Sequence, residues 1–82
     1  MKRIKSVREM NVGDYILCVD GEIKYIEFVI DIVSVDYYVS SILYSFENGK
    51  WEDNHRDEDD YKFSDYEKYY IITESEIVAL II

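Results

Sequence analysis

The chain has 82 residues, a formal net charge of −9, 49% hydrophobic and 16% aromatic residues, no Pro, three Gly and one Cys. This length fits one small domain, 1–82, and the apolar content argues against native disorder. A single Cys excludes a disulfide scaffold, and no apolar run approaches the ~20 residues of a membrane-spanning helix.

Charge is unevenly distributed. Lys2, Arg3, Lys5 and Arg8 make residues 1–11 a basic N-terminal segment of net charge +3, whereas residues 12–82 carry −12. No apolar core follows the basic residues, so no secretory leader is expected and a cytoplasmic location is. The acidic remainder repels phosphate, which disfavours direct nucleic-acid binding and favours a basic protein partner.

The first strand is expected over Tyr15-Ile16-Leu17-Cys18-Val19, five apolar residues between Val12-Gly13-Asp14 and Asp20-Gly21. Asp20-Gly21 suits a hairpin turn, because Gly accepts the positive φ that tight hairpins require. Nine β-branched residues between 23 and 46 favour sheet over helix. Ile26, Phe28, Ile30 and Ile32 alternate with Glu27 and Asp31, predicting a half-buried strand with both acids on the outer face. The apolar phase is odd at Val35, Tyr37 and Val39 and even at Ile42, Tyr44 and Phe46. A turn is therefore expected near 33–36 and a bulge near Ser40-Ser41.

Asn48-Gly49 between Phe46 and Trp51 predicts a type I′ hairpin joining the 36–47 strand to a short strand near 50–53. Residues 53–60 contain no apolar side chain and are expected as a solvated acidic loop. Beyond it, Tyr69–Thr73 is the best strand candidate. Thr73-Glu74-Ser75-Glu76 matches a capping box opening a short helical turn, and Ser64-x-x-Glu67 matches a second one. The fold expected is mostly β, either a small antiparallel SH3-like barrel or a strongly bent sheet of five to six short strands, with a short C-terminal helical turn. Val12-Gly13-Asp14-Tyr15 resembles the opening of SH3-like barrels over those four residues.

Few residues point to chemistry. Asp53, His55, Asp57 and Asp59 alternate, but a calcium-binding EF-hand loop counted from Asp53 would need Gly and Glu where Glu58 and Ser64 stand. No metal or cofactor is expected. His55 has no sequence-defined partner, Cys18 lies inside an apolar strand, and no phosphate loop or nucleophile motif occurs; no catalytic residue is assigned and an enzyme is not expected.

Nine tyrosines exceed what a small core requires, and tyrosine suits protein interfaces by joining rigid area to a polar tip. The contact surface expected is Glu52, Asp53, Asp57, Glu58, Asp59, Asp60 and Asp65, with Trp51, Tyr61 and Tyr66 as aromatic anchors. In size, charge and absence of catalytic motifs the chain is similar to small acidic phage inhibitors of uracil-DNA glycosylase and to some anti-CRISPR proteins. That compositional likeness implies a DNA mimic acting on a nucleic-acid-binding or defence protein inside a bacterial host, and it transfers no residue. The alternative is a structural or assembly protein that self-associates, as a homodimer or larger, through a strand edge or a tyrosine-rich face.

Overall fold

Glycine-directed turns fold the middle of the chain back on itself twice. In the computed structural model, which describes residues 1–82, strands β2 (Tyr15–Asp20) and β3 (Ile23–Ile32) pair with Asp20 opposite Ile23. The two turn residues are thus Gly21-Glu22, with φ +60° at the glycine in the first position, one residue later than the Asp20-Gly21 turn expected. Strand β4 (Tyr37–Glu47) turns into β5 (Lys50–Asp53) through Asn48 and Gly49. Their φ values of 55° and 80° are those of the I′ turn predicted from the sequence.

Seven antiparallel strands form one strongly bent, unclosed sheet in the order β1-β7-β2-β3-β4-β5, with β6 also paired to β4. Strand β1 (Lys2–Ile4) and the single 3-10 turn at Val7–Glu9 lie within the basic segment, where polar residues gave no strand signal. Strand β6 (Asp59–Lys62) lies in the stretch expected as acidic loop, and β7 (Lys68–Ile72) sits between β1 and β2.

The register of β3 on β4 is broken twice. Ile26 faces Tyr44 and Glu27 faces Ile42, so Leu43 is the extra residue on β4; Val29 faces Ser40 and Asp31 faces Val39, so Ile30 is extra on β3. Neither irregularity is at Ser40-Ser41, which pair regularly with Val29 and Phe28. The Ile30 bulge also divides the expected apolar stripe. Ile26 packs on one face of the sheet with Leu17, Ile72 and Ile77, whereas Ile32 packs on the other.

That other face, hereafter the inner face, carries the larger core of Ile4, Val7, Met10, Ile16, Cys18, Val29, Tyr38 and Tyr69. The opposite face is covered by helix α1 (Glu74–Ile81), which buries Ile77 and half-buries Leu80 and Ile81 against the strands. The capping box is formed: Thr73 Oγ1 accepts from the Glu76 N–H at 3.2 Å, and Glu76 Oε1 accepts from the Thr73 N–H at 3.0 Å. Thr73→Ala is expected to cost about 1 kcal/mol. A lower urea midpoint at unchanged slope is the check. The second box forms no helix. The Glu67 N–H reaches the Ser64 carbonyl at 3.3 Å in a simple turn, the Ser64 hydroxyl has no partner, and the Glu67 carboxylate turns inward to Cys18.

Candidate functional site

Two features stand apart from ordinary packing, an acidic outer edge and a polar cavity on the inner face. The edge is built on β4. Its two ends pair with β5 and β6, and the stretch between them is bridged by Asn54 N–H to Leu43 C=O at 3.1 Å and Arg56 N–H to Ile42 C=O at 3.0 Å. Residues 50–62 thus form an interrupted edge strand fixed along the whole of β4. Only residues 54–58 lie outside strands, and even these are pinned at two points.

This arrangement brings most of the expected contact residues together. Glu52, Asp53, Asp57, Glu58, Asp59 and Asp60 are all exposed along that edge. Trp51 is half-buried, its ring tilted against Phe46 at 5.3 Å on the helix-covered side of the sheet. Tyr61 is half-buried on the inner side, 6.1 Å from Tyr38 between ring centroids. Asp65 and Tyr66 lie apart from this edge, in the turn that precedes β7, where Tyr66 is 81% exposed. Only two ion pairs form in the molecule, Met1 amine to Glu76 and Lys50 to Glu52, so the other carboxylates of the edge have no cationic partner within 4 Å. His55 tilts toward Tyr44 at 6.4 Å, and no three His, Cys, Asp or Glu side chains converge as metal ligands would.

The cavity follows from register. Residues opposite one another in paired strands share a face, so Tyr69, Cys18 and Tyr25 form one row across β7, β2 and β3, and Ile16, Glu27 and Ile42 form the next across β2, β3 and β4. Tyr38 and Tyr61 continue the wall. Ile16 apart, these residues surround about 220 Å³ of space together with Asp20, Arg56, Lys62 and Glu67. A larger depression of about 730 Å³ lies between the two hairpin ends, at 21–24 and 46–49, but turn residues line half of it and no buried polar side chain faces it.

Glu27 is the unexpected member. Alternation with Ile26 and Phe28 predicts it in solvent, yet it is 4% exposed. Its Oε1 accepts from the Ser40 hydroxyl at 2.6 Å and from the Tyr38 hydroxyl at 3.0 Å; the same Tyr38 oxygen is 3.3 Å from Oε2. Burial pushes its pKa up to about 7, against the two hydroxyls, which favour the carboxylate. The sequence held a signal for this placement. Tyr25 and Val29, two residues to either side, share its strand face and are both apolar. The odd apolar set Val35, Tyr37 and Val39 likewise does not mark the inner face, because that face carries Tyr38 and Ser40, the polar residues that serve Glu27.

Cys18 donates to Glu67 Oε2 at 2.7 Å. Burial first, and the hydrogen bond to Glu67 second, push the thiol pKa far up, so it is a protonated side chain rather than a nucleophile. Burial likewise raises Tyr38, Tyr61 and Tyr69, leaving neutral phenols around the cavity.

No protein-family model, curated protein or solved structure matches this chain. No helix is long and apolar enough to cross a membrane.

Proposed function

We propose that the chain is a non-enzymatic binding module that engages a basic protein surface through the carboxylates of its β5–β6 edge. The observation that carries this reading is that the edge is fixed and that all but one of its carboxylates lack an ion-pair partner. Backbone bonds to β4 hold the carboxylates in place before any partner arrives, so little ordering entropy is lost on docking. Apart from Glu52, which pairs with Lys50, none of these carboxylates has a cationic partner within 4 Å. Such a row attracts and orients a basic groove and repels nucleic acid, which suits a DNA mimic that occupies the groove of a nucleic-acid-binding or defence protein. Trp51 and Tyr61 flank the row as aromatic anchors, and a cytoplasmic setting, as in a phage-infected bacterium, agrees with it.

Replacing Asp57, Glu58, Asp59 and Asp60 together with Lys is expected to abolish capture of a basic nucleic-acid-binding protein from nuclease-treated bacterial lysate, with the melting temperature nearly unchanged. Capture undiminished by this reversal overturns the site. Self-assembly is the second reading, favoured by β1, whose outer edge pairs with no strand. A dimer that sedimentation shows to persist at high salt selects it, because apolar burial is not screened as charge pairing is.

A further inference from the structure

We propose that the cavity walled by Cys18, Tyr25, Glu27, Tyr38, Tyr61 and Tyr69 binds a primary alkylammonium group. Buried carboxylates in proteins are ordinarily paired with a cation, and Glu27 has none within 4 Å. Its hydrogen bonding is also lopsided. Ser40 gives its hydrogen to Oε1, and Tyr38 has one hydrogen to share between Oε1 at 3.0 Å and Oε2 at 3.3 Å, so Oε2 lacks a donor of its own. Two further carboxylates line the same space, Asp20 and Glu67; the Glu67 Oε2 is occupied by the Cys18 thiol while its Oε1 accepts nothing. Two carboxylate oxygens short of donors call for a ligand with several N–H groups and a positive charge. An ammonium group supplies both.

The walls agree with that choice. Tyrosine rings attract cations to their faces, and their neutral hydroxyls offer further acceptors. Arg56 and Lys62 also line this space, but both are exposed residues and neither comes within 4 Å of the Glu27 carboxylate, which is left without an ion-pair partner. About 220 Å³ holds several waters, hence a short alkyl chain with its ammonium head. The group could belong to a free amine or to a lysine side chain of a docked protein. The inference does not depend on the outer edge having a partner.

The test is a two-dimensional NMR titration of the whole chain at pH 8 and constant ionic strength with n-butylammonium. n-Butanol and tetramethylammonium serve as controls, the first lacking charge and the second lacking N–H donors. Saturable shifts at Cys18, Tyr25, Glu27, Tyr61 and Tyr69 are expected, with either control at least about tenfold weaker. Glu27→Gln should weaken butylammonium about tenfold or more, and Glu67→Gln gives an independent reading if the first substitution disturbs the fold. Nα-acetyl-lysine-N-methylamide separates the sources. Binding at least as tight as butylammonium points to a lysine side chain, whereas exclusion of this larger probe while butylammonium binds points to a free amine. Absence of saturation, equal shifts with butanol, or affinity unchanged by both substitutions overturns the site.

Discussion

Glu27→Gln is expected to gain about 3 kcal/mol of stability relative to the parent protein as the pH rises from 4 to 8. The carboxyl pKa is near 4.5 in the unfolded chain and about 7 in the folded one, because burial disfavours the ionised form more than Tyr38 and Ser40 favour it. Below pH 4.5 both states hold the proton and Glu27 contributes no pH dependence. Between 4.5 and 7 the folded state binds more protons than the unfolded state, so stability falls as pH rises. Above 7 both states are ionised and the loss is complete. The substituted amide does not titrate, so urea unfolding of both proteins at several pH values isolates Glu27 from the other carboxylates. A difference constant from pH 4 to 8 would show that the buried carboxyl titrates normally. The same experiment bears on the cavity, since a bound ammonium favours ionised Glu27 and should return part of the lost stability at pH 8.

A protein with so small a core tolerates such a liability only if the position matters or the rest of the inner face compensates. Here the inner face mixes its apolar core with buried polar groups. Ser40 is buried against Glu27, Ser45 is buried opposite Tyr25, and the tyrosines around the carboxylate stay neutral. That mixture also governs what could be read from the chain. A continuous apolar run marks β2 and alternation marks β3, while the Asn48-Gly49 and Thr73–Glu76 signals are local enough to survive any tertiary context. Alternation fails where polar residues point inward. It predicts Glu27 in solvent, and the change of apolar phase between Val39 and Ile42 predicts a bulge at Ser40-Ser41, yet Glu27 is buried and both serines belong to the regular part of β4.

The acidic stretch was misread in a different way. Strand β6 has one aromatic residue in four, Tyr61, and its pairing partner Tyr37–Ser40 lies some twenty residues earlier, so neither composition nor a short turn announces it. Strand β1 is equally silent, with Ile4 the sole apolar residue among its three. The acidic residues of the edge are exposed, but the backbone pairing that fixes them is not legible in the sequence. A loop would have to be ordered on binding, whereas a pinned edge presents its charges already aligned. The edge charges have a structural consequence too, because carboxylates along an open strand oppose edge-to-edge aggregation of a sheet that does not close.

Tyr69→Ala is expected to cost about 3–5 kcal/mol, which is comparable with the roughly 4–12 kcal/mol total of a chain this size. Tyr69 is 1% exposed, stacks on Phe63 with ring centroids 4.0 Å apart, and lies in the row that joins Cys18 to the cavity wall. Removing the ring opens a void at the point where the turn before β7 is anchored to the sheet. Its hydroxyl accepts from the Ser64 N–H at 3.0 Å, so Tyr69→Phe keeps the stack but leaves that amide without a partner, at about 1 kcal/mol. The two losses separate packing from hydrogen bonding at one position. Hydrogen exchange supplies the local check, because the same turn carries Glu67 to its contact with Cys18. Tyr69→Phe should speed exchange at residues 63–67 and spare β3 and β4, while Tyr69→Ala should shift the global unfolding midpoint. An alanine variant that unfolds at the same urea concentration as the parent would mean that the sheet holds this turn without the ring, and that the inner core is organised around Tyr38 instead.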